Sequence, residues 1–294
     1  MGFLSGLFGQ DEEEKKFEEE QGKDFFIYEK VPAKTSARLD CIIDELYDKQ
    51  TLSSDNFAGI VSHLFKKNTG GTIYDLWRDD SVLLSDTSII RRAIAKLNPP
   101  TILQLLEVVL ETVLRIGGQG AQKFCDDVNE AFRRDHFGYE LNFENRRFFR
   151  IDKNPVYRET VKKAINILND KQFALASEEY WKALDAYTRG AKEWPAAIRE
   201  ANNAFESTMK IILGVKSGNA DFLIKELIRK EFLPQYQEKF CQTLLGLLPV
   251  MRDNLSKSHG QGDKKVEVEE EDVRFAISLA GAYIVYIVSK CKPR

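Results

Sequence analysis

From Asn154 onward the apolar residues of this 294-residue chain recur every three or four positions, in segment after segment, most of them bounded by proline or glycine. That spacing lines one face of an α-helix, and a period of two would be needed for a half-buried strand. The pattern predicts helices over Val156 to Leu168, Gln172 to Arg189 before Gly190, Pro195 to Leu213 before Gly214, Ala220 to Lys230, Pro234 to about His259, and Asp272 to Lys290. Five or six consecutive helices joined by short connections can bury their apolar stripes only against one another, so the second half is expected to be a helical bundle.

The first half carries the same period with less regularity. Leu39, Ile42, Ile43, Leu46 and Tyr47 mark a helix from Ala37 to Asp48, and similar spacing follows in FAGIVSHLF, SIIRRAIAKL and TILQLLEVVLETVLRI, with Pro100 at a helix start and Gly117 and Gly118 at its end. The period changes at HFGYELNFENRRFFRID. Glu144 and Asn145 suit a turn between two aromatic runs, so a short β-hairpin is expected, Gly138 to Asn142 with Arg146 to Ile151. Asn154-Pro155 then reads as a helix cap followed by proline at the first helical position, which sets a domain boundary near residue 152. The expected organisation is an acidic mobile tail over 1–35, a helical N-terminal regulatory or sensing domain with its hairpin over 36–152, and a helical bundle over 153–294. The fold class is mainly α.

Charge narrows the partners. The chain carries a net −3, yet the run Asp11 to Glu20 holds seven acids against two lysines, so the remainder is about two charges positive and any nucleic-acid footprint must be local. Four widely spaced cysteines make no CxxC or Cys/His cluster, which argues against a zinc site or a disulfide framework and fits a reducing cytoplasm. MGFLSGLFGQ lacks the basic region of a secretory signal and the Ser or Thr of a myristoylation site. The run Phe275 to Val288 is shorter than the roughly 20 residues of a membrane span and is read as a core helix, so no membrane span is expected.

The stretch MRDNLSKSHGQG, Met251 to Gly262, holds one of three histidines. Arg252 and His259 are seven positions apart, which on a helix puts them within about 20° of one face and about 10.5 Å apart along the axis. Gly260 and Gly262 follow as a helix C-terminus requires. Two accounts fit this spacing: Arg252, Lys257 and His259 are cations complementing the negative end of a helix dipole, or Arg252 and His259 form an active site on their shared face.

An arginine, a polar residue directly after it and a histidine after four to six intervening positions resemble the signature of the HEPN superfamily, here Arg252, Asp253 and His259. In order, FALASEEYWKALDAYTRG, AIREANNAFESTMKIILG, RDNLSKSHGQG and the apolar last helix resemble the C-terminal domain of AbiJ-like abortive-infection proteins over roughly 155–290. The region before it, including the hairpin, is similar to the N-terminal part of the same proteins.

The resemblance implies a cytoplasmic, metal-independent endoribonuclease that acts on tRNA or mRNA in antiphage defence. It implies no cofactor, a homodimer formed through the HEPN bundle, and a phage-derived trigger. His259 would be the acid/base, since an imidazole titrates near neutral pH, and Arg252 the phosphate clamp. Asp253 and Asn254 would orient the arginine or the ribose, or else face solvent. Glu206 in AFESTMK resembles a polar residue on an earlier helix that faces the HEPN site; an ion pair with Lys210 one turn on explains it equally. The competing function is a catalytically silent HEPN module that binds RNA or a partner protein.

Elsewhere the signals favour structure. Arg146 and Arg147, with Arg150 around Phe148 and Phe149, offer phosphate pairing and base stacking, but solvation of a hairpin explains them as well. His63 has no acid or cysteine neighbour, and His136 follows Arg133 and Arg134. GGQG lacks the Lys-Ser/Thr of a phosphate loop, Asp126, Asp127 and Glu130 have no partnering motif, and Cys241 has no nucleophile signature. VEVEEED suits a solvated loop and the acidic first turn of the last helix.

Overall fold

The computed structural model describes residues 26–48, 98–115, 118, 120–152, 154–233, 238–255 and 267–291. The helices expected in FAGIVSHLF and SIIRRAIAKL, the acidic run, His63, Lys257 and His259 lie outside the described residues. The chain divides into two compact units, Met1–Lys153 and Asn154–Arg294.

The first unit contains α1 (Ala33–Asp48), α2 (Pro99–Arg115), α3 (Ala121–Arg134) and the antiparallel hairpin β1 (Tyr139–Asn142) and β2 (Arg147–Arg150). α2 starts where Asn98 accepts from the Thr101 N–H at 3.0 Å, satisfying one of the orphan donors of a first turn. Leu39 and Ile43 of α1, Ile102 to Val113 along α2, and Phe124, Val128 and Phe132 of α3 close one core with Phe137, Tyr139, Leu141 and Phe148. Phe132 stacks on Phe148 at 5.5 Å and meets Phe137 edge-on at 4.7 Å.

The hairpin pairs Tyr139 with Arg150 and Asn142 with Arg147. Two side chains cover backbone groups that a two-stranded sheet leaves unpaired. Asn129 of α3 donates to Leu141 O at 2.9 Å and accepts from Leu141 N at 2.7 Å, while Glu107 of α2 accepts from Phe148 N at 2.7 Å.

One expectation is corrected here. Composition places residues 1–35 in a mobile tail, yet Phe26 to Tyr28 lie against the hairpin and α1 begins at Ala33. Ile27 N donates to His136 O at 2.8 Å, Gly138 N donates to Ile27 O at 3.0 Å, and the Tyr28 hydroxyl donates to Ile151 O at 2.8 Å. Gly138 has to be glycine: a Cβ there would stand 2.1 Å from Tyr28 Cε1. The Arg150 guanidinium covers the same ring, 3.5 Å from its centroid.

The second unit contains α4 (Pro155–Leu168), a 3₁₀ turn (Lys171–Phe173), α5 (Ala174–Thr188), α6 (Trp194–Leu213), α7 (Ala220–Arg229), α8 (Glu238–Leu255) and α9 (Glu270–Cys291). Caps mark its starts as the residue types require: Asn154 accepts from Val156 N, Asp170 from Gln172 N and Asn219 from Phe222 N. α6 is the central helix, packed against α5, α7, α8 and α9. Ile198, Ala201, Ala204, Phe205 and Met209 of α6 are fully buried, and Phe205 meets Tyr283 of α9 at 5.2 Å.

α9 is long and apolar enough to cross a membrane by length and composition. It instead packs on α4 and α6, burying Val273, Ala276, Ile277, Ala280, Ile284 and Ile287. Gly281 permits that approach. A Cβ there would lie 2.7 Å from the Tyr180 hydroxyl of α5, which donates to Ile277 O. The molecule is mainly α with one short hairpin, as the periodicity implies.

Candidate functional site

Two helices of the second unit bring the candidate residues together. α6 carries Asn202, Glu206 and Lys210, spaced four apart and therefore stacked along one stripe. α8 carries Arg252, Asp253 and Asn254 in its last turn. The two helices pack directly, and the contact between their polar residues spans 46 positions of sequence.

Glu206 is at the centre. Its Oε1 accepts from Arg252 Nη1 at 3.0 Å and from Asn202 Nδ2 at 2.9 Å, and its Oε2 lies 3.7 Å from Lys210 Nζ. Arg252 also donates from Nε to Asp253 Oδ1 at 2.9 Å, with Nη2 at 2.8 Å from the same oxygen. The arginine side chain is 22% exposed and that of Glu206 11%, so the pair sits at the edge of the core rather than on the open surface. Two cations and two carboxylates balance the local charge, which lowers the desolvation penalty that either sign would incur alone. An arginine held by its planar fork between two acids is aimed, where a lysine would be a mobile point charge.

The sequence candidates divide accordingly. Arg252, Asp253 and Glu206 are brought together, and the ion pair of Glu206 with Lys210 coexists with its contact to Arg252. The Asn254 amide donates to Val250 O, one turn back on its own helix. Lys257 and His259 lie outside the described residues. Arg146 and Arg147 belong to the other unit, where both are exposed, Arg146 at a left-handed φ of 56° in the hairpin turn. The aromatic half of that candidate is corrected: Phe148 and Phe149 are buried, so neither ring is presented for base stacking.

His136 is likewise a turn residue, at φ 54°, whose carbonyl holds Ile27. Asp126 accepts from Gln122, Asp127 pairs with Lys123, and Glu130 pairs with Arg133 and Arg134. Among the described residues no three His, Cys, Asp or Glu side chains converge as they would around a metal ion.

Sequence reading missed Asn202. It is fully buried, and a lone amide inside an apolar helix face reads as noise until its position four residues before Glu206 is noticed. Glu179 of α5 is a second omission. Burial pushes its carboxyl above the usual range, opposed by a hydrogen bond with Ser207, and its Oε2 is buried without a hydrogen-bond partner.

Among the described residues, six helices whose central member anchors an arginine of a neighbouring helix through a carboxylate define a bundle with a polar seam. Residues 174–291, from the start of α5 to the end of α9, match the model of a family described as a HEPN-like domain. This region is a HEPN-like domain, and Asn202, Glu206, Arg252 and His259 all fall within it. No curated protein and no solved structure matches the chain.

Proposed function

We propose that the protein is a metal-independent endoribonuclease that acts in antiphage abortive infection, with Arg252 and His259 as its catalytic pair. One observation carries the reading. Within the HEPN-like domain, the arginine of RDNLSKSH is not a helix-end cation left to water but is tied to a carboxylate of the central helix. Such anchoring suits a group that must meet a phosphate in one orientation.

In this chemistry the 2′-OH attacks its neighbouring phosphorus and the 5′-oxygen leaves, giving a 2′,3′-cyclic phosphate and a 5′-hydroxyl. A base removes the 2′ proton, an acid protonates the leaving oxygen, and Arg252 balances the charge that builds on the phosphorane. His259 is the sole histidine of the matched region, so two copies supply the base and the acid together, and the working form is a homodimer joined through the bundle. The reaction is cytoplasmic, the substrate is tRNA or mRNA, and the N-terminal unit holds the nuclease quiet until a phage-derived trigger arrives.

The test is incubation of wild type, Arg252→Ala and His259→Ala with total and transfer RNA in EDTA, followed by end-group analysis. Cleavage by wild type alone, leaving 2′,3′-cyclic phosphate, is the expected result. Equal cleavage by all three would place the activity elsewhere. RNA binding without product, in the presence of phage lysate as well, would make the domain a silent binding module.

A further inference from the structure

We infer that Asn202 is a positioning residue for the proposed site: its buried amide fixes the Glu206 carboxylate and, through it, the guanidinium of Arg252. The inference rests on the ribonuclease reading for its consequence, but its geometry is independent of that reading.

Asn202 stands in the interior of α6, 0% exposed. By local energetics it is a poor choice there. Asparagine is a weaker helix former than leucine or alanine, and a buried amide needs partners at both ends. Here only one end has them: Nδ2 donates to Glu206 Oε1 at 2.9 Å, while Oδ1 is buried without a hydrogen-bond partner. An apolar side chain of the same branching would remove that unpaired oxygen, so burial alone does not account for the amide.

The contact it makes does account for it. An ionised carboxylate only accepts, so the NH₂ end of Asn202 must face Glu206, and the reversed amide would set oxygen against oxygen. The bond goes to Oε1, the same oxygen that receives Arg252 Nη1. Glu206 has three side-chain torsions and lies at the edge of the core, where on its own it could swing toward Lys210 or water. A donor one turn earlier on the same helix, itself fully buried and immobile, selects the rotamer that meets α8. The order of action is Asn202 to Glu206 to Arg252, with Asn202 touching neither substrate nor guanidinium.

The decisive variant is Asn202→Leu, which keeps the number and branching of side-chain heavy atoms and removes both the donor and the unpaired oxygen. Three measurements on the full chain separate positioning from packing. The midpoint of urea unfolding is expected to stay or rise. The Arg252 Nε–H resonance, assigned by its loss in Arg252→Lys, is expected to be sharp in wild type and broadened, with faster solvent exchange, in Asn202→Leu. RNA turnover is expected to fall roughly tenfold to a hundredfold in kcat, with binding of a non-cleavable 2′-O-methyl RNA changed less than about threefold.

In a Glu206→Ala background, where no side-chain oxygen remains to receive the amide, Asn202→Leu should lower kcat by no more than about twofold further, because the amide acts only through Glu206. A lower unfolding midpoint with an unchanged Arg252 resonance would overturn the inference and make Asn202 a packing residue. If wild type cuts no RNA, the ribonuclease reading fails on its own, and the Arg252 resonance still decides whether Asn202 positions it: broadening upholds the inference and no change overturns it.

Discussion

Replacing Glu206 by alanine tests the polar seam most directly, because three groups lose a partner at once. Arg252 loses the contact at 3.0 Å but keeps Asp253 at 2.8 Å and its partial exposure to water, so its share is discounted to about 1 kcal/mol. Asn202, fully buried, loses the acceptor for its amide at 2.9 Å, and stranding a buried donor costs about 1–3 kcal/mol. The lost methylenes add roughly 1 kcal/mol, offset by a few tenths from the better helix propensity of alanine. Together these give a destabilisation of about 2.5–4.5 kcal/mol.

Glu206→Gln keeps the shape and an oxygen for Asn202, and should cost only about 1 kcal/mol. The assay is urea unfolding followed by tryptophan fluorescence, since Trp181 and Trp194 both lie in the second unit. If Glu206→Ala unfolds within 0.5 kcal/mol of wild type, or if Glu206→Gln is as damaging as alanine, the reasoning about a shared carboxylate is wrong.

Three other outcomes are expected. Gly281→Ala should destabilise by about 1–2 kcal/mol, the cost of overpacking against the Tyr180 hydroxyl 2.7 Å away exceeding the helix-propensity gain, whereas Gly246→Ala, whose Cβ meets nothing within 4 Å, should stabilise by about 0.5–1 kcal/mol; thermal unfolding of both variants checks the opposite signs. Burial raises the folded-state pKa of Glu179 above its unfolded value of 4.5, so this group favours the fold fully below that pH and loses that contribution as pH rises through the folded pKa. Glu179→Gln should therefore raise stability at pH 7 relative to wild type, with the difference vanishing below about pH 4.5 in urea titrations across pH. A thiol reagent at pH 8 should label exposed Cys41 well before Cys125, whose buried thiol is pushed up to about 11; equal rates would contradict its placement in the core.

The helices of the second unit were legible because their apolar period, caps and glycine stops agree at each end, as at Asn154 with Pro155 and at Leu213 with Gly214. The hairpin was legible because aromatic alternation broke the helical period at Gly138 and a turn pair stood between the runs. What escaped depended on partners far away in sequence. Ile27 and Tyr28, before Pro32, show no period in sequence and are held by hydrogen bonds to residues more than a hundred positions later, the Tyr28 hydroxyl reaching Ile151 O across 123. Phe148 and Phe149 among Arg146, Arg147 and Arg150 offered base stacking beside phosphate pairing, with hairpin solvation as the other account. Both are buried, and Phe148 packs on Phe132 of α3.

At the seam, sequence spacing offered two accounts of Arg252, a helix-end cation or a site residue; the resemblance put Asp253 beside it and Glu206 facing the site, but spacing alone could not give the contact of Arg252 with Glu206. Seven-residue spacing concerns one helix, whereas the tie from Arg252 to Glu206 exists only because α8 lies along α6. Beside the phosphate-clamp role proposed for Arg252, that tie gives it a structural one, and truncation would remove both together, leaving Glu206 with fewer counter-charges at the edge of the core. Arg252→Lys separates them. It keeps a positive charge beside Glu206 and Asp253 but loses the planar fork, so a variant that holds its unfolding midpoint and loses turnover locates the function in guanidinium geometry rather than in charge.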